Sequence, residues 1–256
     1  LSDLGVNTRG LVFSDQARTA LAFVSLKADG EREFMFYRHP SADMLYSPDE
    51  VDYDLIKHAK IFHFGSISLI SEPSRGATLA ALEAARDNHV LISYDPNLRL
   101  ALWPNSSAAK AGMLSVWEKA DVIKVSEEEL FFLTGLDDID QAVQTLWHEN
   151  LKLMVVTLGK KGCRYYTPRF EGFVEGIKTK AIDTTGAGDG FVAGLLMGLS
   201  DHPNALLDET RINNVCLYAN AVGALTTTQL GAIPALPTAQ EVSAFLKLKN
   251  IDIQLF

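Results

Sequence analysis

Ile61-Phe62-His63-Phe64, Val90-Leu91-Ile92-Ser93-Tyr94, Val122-Ile123-Lys124-Val125 and Leu153-Met154-Val155-Val156-Thr157-Leu158 are four short apolar runs. Each reads as a strand, and the first as a buried one. Helical patterns separate them. Pro73 to about Asn88 has Ser71 as a cap and Pro in its first turn. A second helix runs from about Ser106 to Lys119, and further helices cover 127–135 and about 138–148. Strand–helix alternation implies parallel βαβ units with right-handed crossovers. The expected fold is therefore α/β, a doubly wound and mostly parallel sheet flanked by helices.

Outside this core the pattern changes. Thr19 to Leu26 and Glu33 to Arg38 read as strands joined by an Asp29-Gly30 hairpin turn. Phe34 and Phe36 alternate with Met35 and Tyr37, as expected of an antiparallel pair open on one face. This hairpin would project as a flap or lid. Segments 162–167 and 170–177 suggest a β-meander. The last third is helical, over about 187–199, 209–226 and 239–248. Ile212, Val215, Cys216, Ala219, Val222 and Gly223 form a stripe with helical period.

The 256 residues are 47% hydrophobic, 21% charged and 9% aromatic, enough for one large core or two modest ones. A net charge of -9 argues against general attraction to nucleic acid or anionic membranes. It leaves room for ATP, since a phosphate site needs only local positive potential. No apolar run approaches the ~20 residues that span a bilayer. Cys163 and Cys216 lie far apart and form no CxxC pair, which fits a reducing compartment. The six histidines show no metal-binding spacing. The expected location is the cytoplasm, with a plastid form left open because the chain starts at Leu1.

The strongest motif is Asp183-Thr184-Thr185-Gly186-Ala187-Gly188-Asp189-Gly190-Phe191, opening a helix with Val192, Leu195, Leu196 and Leu199 on one face. Gly186 and Gly188 permit φ > 0 and close approach of a ligand. The first N–H groups of the helix add its positive end, which together makes an anion site. Asp189 would repel an anion in a simple phosphate cradle. Beside one, it suits a base that takes a proton from the nucleophile while the amides hold the phosphoryl. Gly190, Gly194 and Gly198 recur every fourth residue, each costing a helix about 1 kcal/mol relative to Ala. That spacing suggests close approach by another helix or a nucleotide. A plain loop and helix start is the bland alternative. GxGxxG and GxxxxGK[ST] are both excluded by spacing.

With this motif the chain resembles the PfkB (ribokinase-like) carbohydrate kinases, and within them plant-type fructokinases. The resemblance runs along essentially all 256 residues, so 1–256 would be one kinase domain, with 17–40 part of its β lid. It implies transfer of the γ-phosphoryl of ATP to a sugar hydroxyl, most simply fructose to fructose 6-phosphate. By it, Asp189 is the catalytic base and also touches the sugar. Gly186, Ala187 and Gly188 supply the anion hole. Asp183 and Thr185 lie near a monovalent cation such as K⁺.

Other segments acquire roles on the same basis. Ser126-Glu127-Glu128-Glu129 is a capping box as it stands. The family has Asn-x-x-Glu here, so the resemblance gives Glu129 a water-mediated part in arranging Mg²⁺, while Ser126 replaces the Asn. Lys124 is near enough in sequence to neutralise phosphate, or is simply solvated. Asp95-Pro96-Asn97-Leu98-Arg99 reads as a Pro-driven turn. The resemblance puts Asn97 and Arg99 near sugar and phosphates. Thr157, Gly159 and Gly162 would lie around ATP, or form an ordinary hairpin turn with Lys160 and Lys161. Asn220 resembles an adenine-side Asn, though a lone helical Asn is usually structural. Gly231-Ala232-Ile233-Pro234 resembles a loop over the adenine. Arg38 is the expected sugar contact, and His63 is either a pocket residue or a satisfied core histidine.

Full members of the family carry a further N-terminal segment with a central strand, a Gly-Gly motif and a sugar-binding Asp. Nothing here matches it, so the chain alone is expected to be poorly stable or inactive. The implied partners are sugar and ATP, with a homodimer through the β lid as one assembly the family allows. The alternatives are a kinase for 2-keto-3-deoxygluconate or another sugar, and a non-catalytic nucleotide-binding scaffold.

Overall fold

A computed structural model describes residues 1–26, 32–38 and 40–253. The chain divides into two units, Leu1–Ile92 with Pro96–Lys119, and Ser93–Asp95 with Ala120–Phe256.

In the first unit, β1 (Leu21–Leu26) pairs antiparallel with β2 (Arg32–Tyr37), Leu21 lying opposite Tyr37 and Phe23 opposite Met35. The expected Asp29-Gly30 turn lies outside the described residues. Phe23, Met35 and Tyr37 are exposed, and Phe23 meets Tyr37 edge to face at 5.7 Å. One face of the ribbon is thus apolar and uncovered within its unit. The short helix α1 (Tyr53–Lys57) starts at Asp52, whose carboxylate accepts the Leu55 N–H. β3 (Ile61–Gly65) is only partly covered, with Phe64 buried and His63 exposed. The reading of Ile61–Phe64 as a buried strand, and of His63 as a core residue, is corrected here. Among the described residues β3 has a paired neighbour, the strand at Leu91–Asp95, on one side, and a strand uncovered on its other side buries fewer side chains.

α2 (Ser74–Asp87) buries Ala77, Ala81, Leu82 and Ala85 along one face. Its cap departs from expectation. Pro73 holds the N-cap position, and Ser71 contributes its carbonyl, which accepts from Ser74 Oγ and Arg75 N–H. β4 (Leu91–Asp95) begins beside β3, with Leu91 N–H donating to Lys60 O. α3 (Ser106–Leu114) is shorter than the sequence pattern predicts. Ser115 takes the C-cap, donates its hydroxyl to Gly112 O at 2.7 Å, and the chain resumes as a 3₁₀ turn at Trp117–Lys119. A serine that competes for backbone acceptors ends a helix readily.

The second unit carries the end of β4 and β5 (Val122–Ser126), paired in parallel with Tyr94 opposite Ile123. α4 (Glu127–Thr134) and α5 (Ile139–Leu146) follow. β6 (Leu153–Thr157) then pairs in parallel with β5, while β7 (Gly162–Tyr166) and β8 (Glu171–Glu175) add antiparallel strands. β5 and β6 have their first four residues buried. The sheet is mixed and flanked by helices, in line with the α/β expectation, and its antiparallel end is the expected meander.

α6 (Ala187–Asp201), α7 (Glu209–Thr226) and α8 (Ala239–Leu248) complete the unit. The glycine spacing on α6 has a structural cause. A Cβ on Gly194 would stand 2.9 Å from Ala219 Cα, and one on Gly198 would stand 2.8 Å from Val215 Cγ1. Three turns of α6 therefore lie directly on α7, whose Ile212, Val215, Ala219 and Val222 are buried. Among the described residues, no helix is long and apolar enough to cross a membrane.

Gly194→Val should force α6 off α7 and lower stability by about 1–3 kcal/mol, the usual cost of overpacking. Thermal denaturation of the variant against wild type measures this, and an unchanged Tm would contradict the packing described.

Candidate active site

The Asp183–Asp189 bend is held by its own acid. Asp183 Oδ1 accepts the Thr185 N–H at 2.8 Å, and Oδ2 accepts the Gly231 N–H at 3.0 Å. The N–H groups of Ile182 and Asp183 both donate to Thr227 O, at 2.8 and 3.1 Å. The bend is thereby fastened to the segment leaving α7. Gly186 is the N-cap of α6 with φ 77°, a left-handed conformation that favours glycine. The Ala187 N–H turns back to Thr184 O at 3.2 Å, and the first helical bond runs from Gly190 N–H to Gly186 O at 2.7 Å. The amides of Gly188 and Asp189 thus precede the helical ladder at the positive end of α6. Of Gly186, Ala187 and Gly188, the residues expected to form an anion hole, Ala187 has its N–H engaged in the turn. Gly188 and Asp189 are exposed.

Beneath this bend lies a buried ion pair. Register in the parallel sheet sets Tyr94 beside Ile123, so Asp95 and Lys124 follow side by side. Lys124 Nζ donates to Asp95 Oδ2 at 3.0 Å, with only 7% of Lys124 and 3% of Asp95 exposed. The solvated reading of Lys124 is therefore wrong. Its ammonium lies 3.5 Å from where a Cβ on Gly188 would stand. Burial pushes the Asp95 carboxyl up to about 6; Lys124 opposes that rise, while the charges of Glu129 and Asp189 add to it.

Ser126 and Glu129 form the predicted capping box. Ser126 Oγ accepts the Glu129 N–H at 3.1 Å, and Glu129 Oε2 accepts the Ser126 N–H at 2.8 Å. Glu129 is buried. One carboxylate oxygen is thus committed to α4, and its burial beside Asp95 gives the acid a second setting besides the cap.

A cleft of about 720 Å³ opens next to the bend. Thr157, Gly159, Gly162, Gly188 and Asn220 line it, bringing together most of the residues expected around ATP. Thr157 Oγ1 donates to Val125 O at 3.3 Å. The buried Asn220 donates its amide to Val174 O and Glu175 O, at 3.2 and 3.3 Å, which ties α7 to β8. Its nitrogen is engaged by the scaffold. Sequence reasoning missed the opposite wall, residues 176–179, and Phe191. The missed signal is Gly176, whose N–H bonds Lys161 O at 2.9 Å and where a Cβ would meet Lys160 O at 2.3 Å.

The first unit holds the remaining expected residues. Arg38 is buried and forks onto Asp43 at 2.6 and 2.8 Å. Asn97 adopts φ 48°, tolerated by Asn at a turn, and Arg99 donates to Leu98 O at 3.1 Å.

Comparison with known proteins decides the family. The profile described as pfkB family carbohydrate kinase matches residues 1–239. The chain belongs to the pfkB family of carbohydrate kinases. This kinase is 58% identical over 248 residues to the probable fructokinase-4 of Arabidopsis thaliana, covering 96% of this chain and 76% of that protein. It is 57% identical over 244 residues to fructokinase-2 of Solanum lycopersicum, covering 95% and 74%. The crystal structure of fructokinase with bound ATP from Xylella fastidiosa superposes with a TM-score of 0.90 at 32% identity, over 97% of the kinase and 80% of that chain. The Vibrio cholerae fructokinase with fructose, ADP and calcium bound gives 0.85 at 38% identity, over 96% and 79%.

Kinases of ATP act with a metal ion. Among the described residues, no cluster of three or more His, Cys, Asp or Glu could enclose one. The carboxylates of Glu129 and Asp189 act electrostatically on Asp95, opposed by Lys124. That excess of oxygen anions fits a hard cation that arrives with the nucleotide and keeps most of its waters.

The Asp95 carboxyl also makes a pH prediction. Between its ordinary value of 3.8 and about 6, the folded chain binds more protons here than the unfolded one. Stability from this group therefore falls as pH rises through that window. The Tm of Asp95→Asn relative to wild type should accordingly climb between about pH 4 and pH 6. A difference independent of pH would show that Asp95 titrates normally.

Proposed function

We propose that this kinase phosphorylates D-fructose to fructose 6-phosphate with ATP. The observation that carries the reading is the exposed Asp189 carboxylate at the amide-lined start of α6, beside a cleft of nucleotide size. The fructokinases it matches over nearly its whole length supply the sugar. The adenosine would occupy the cleft, with the glycines at 159 and 162 allowing close approach of backbone. The γ-phosphoryl would meet the Gly188 and Asp189 amides, which need no reorganisation as charge shifts in the transition state. Asp189 would accept the proton of the attacking hydroxyl as the oxygen–phosphorus bond forms and ADP departs.

Mg²⁺ is the cation this reading assigns, with Glu129 holding it through water; when bound it would neutralise phosphate charge. K⁺ would sit near Asp183 and Thr185. Arg38, Asn97 and Arg99 are assigned to sugar and phosphate on the family resemblance. We read 17–40 as part of a lid and the uncovered apolar face at Phe23, Met35 and Tyr37 as a surface for a second copy. Two free buried thiols suit the reducing cytoplasm.

Asp189→Asn should lower kcat by about 10² or more while leaving Tm near wild type, the scale of a lost general base. The measurement is sugar-dependent ADP release, run over fructose, glucose and 2-keto-3-deoxygluconate. Unchanged turnover in the variant would remove Asp189 from the role, and preference for another sugar would replace fructose.

A further inference from the structure

Lysine is a flexible side chain whose ammonium is usually left in water. Lys124 is the opposite case, buried on a central strand and aimed at Asp95 Oδ2 at 3.0 Å. The direction is fixed from two sides. Parallel register sets the Asp95 and Lys124 backbones next to each other, and the ammonium ends 3.5 Å from the Cβ position of Gly188. A Cβ at position 188 would stand in ordinary van der Waals contact with this ammonium, so the tip of the lysine lies next to the bend. A cation under the very amides that face an anion adds to their field in a low-dielectric setting.

We propose that Asp95 is a positioning residue for the kinase reaction: it acts through Lys124, anchoring the ammonium beneath the Gly188 bend so that it opposes charge on the transferring phosphoryl. This rests on the kinase reading above. Asp95 need not touch sugar or nucleotide. Its carboxylate supplies a fixed acceptor, which favours one rotamer of a side chain that would otherwise sample many. The bland alternative is an ion pair that only holds β4 to β5. Removing one partner of a buried pair leaves the other charge uncompensated, so that alternative predicts a change in Tm and little else. The positioning role predicts loss of transition-state binding with ground-state binding kept.

The test uses the full chain and the variants Asp95→Asn, Asp95→Glu, Lys124→Met and the double variant Asp95→Asn/Lys124→Met. Three quantities are read for each: kcat and KM, the Kd of ADP alone, and the Kd of ADP with aluminium fluoride and fructose, a mimic of the phosphoryl in flight. Asp95→Asn should lower kcat by about 10- to 100-fold and weaken the fluoride complex by the same factor, with KM for ATP and ADP affinity within about 3-fold of wild type. Lys124→Met should lose at least as much. The double variant should be no worse than Lys124→Met, since one residue acts through the other. Asp95→Glu keeps the charge but displaces the ammonium, and should give a smaller loss in the same two readouts. It keeps the test decidable where Asp95→Asn is too unstable to assay.

A kcat within about 2-fold of wild type in Asp95→Asn, or in Asp95→Glu where that is the variant assayed, overturns the proposal, as do losses that multiply in the double variant. Parallel loss of ADP affinity and of the fluoride complex also overturns it, in favour of a structural pair. Wild-type protein in its full-length form with neither fructose-dependent ADP release nor a fluoride complex would sink the kinase reading and this proposal with it. An active wild type with unaffected Asp95 variants would sink only the proposal.

Discussion

Contact between α6 and α7 is the constraint on which the site depends. Gly194 and Gly198 bring the two helices so close that a methyl group would collide with Ala219 and Val215. Fixing α6 on α7 fixes where α6 begins. The segment after α7 then returns through Thr227 and Gly231 to hold Ile182 and Asp183. Both ends of the glycine bend are thus anchored by one helix pair. The amides at 188 and 189 are set in place before any ligand arrives, which is what electrostatic preorganisation requires.

Net charge misleads about such a site. The chain carries -9, yet the bend concentrates helix-terminal amides and a buried ammonium in one place. Field strength there depends on burial and orientation more than on the global sum. The acids nearby have separate surroundings. Asp95 is sealed in and pushed up to about 6, whereas Asp189 lies exposed at the helix start. Two carboxylates in one neighbourhood can therefore serve different ends, one holding a lysine and the other open to a substrate.

Much of this was legible in the sequence, because strands and helices announce themselves by local period. The runs at 122–125 and 153–158 became β5 and β6 nearly as read, and the pattern over 209–226 became α7. Gly186 was legible because a sharp bend before an apolar helix needs its conformation. What stayed hidden was set by pairing across the chain. Nothing in Asp95-Pro96-Asn97 says that Asp95 meets Lys124, since strand register decides it. Residues 176 and 177 were read only as the end of the meander, and the close approach of Gly176 to residues 160–161 shows in the folded chain alone. Asn220 was read from its position on α7, but the carbonyls of Val174 and Glu175 that engage it come from β8. The core reading of His63 failed because a short apolar run does not say which side chains of β3 are covered, and only Phe64 is buried there.

The central claim is that exposed amides at 188 and 189 receive the phosphoryl while the Asp189 carboxylate faces the attacking alcohol. A crystal structure of the protein with fructose, ADP and aluminium fluoride tests it most directly. The account predicts fluorine atoms about 3 Å from both amide nitrogens, and a sugar hydroxyl at about 2.6–3.2 Å from the Asp189 carboxylate. A phosphoryl mimic bound away from the bend, or an Asp189 carboxylate turned from the sugar, would contradict it.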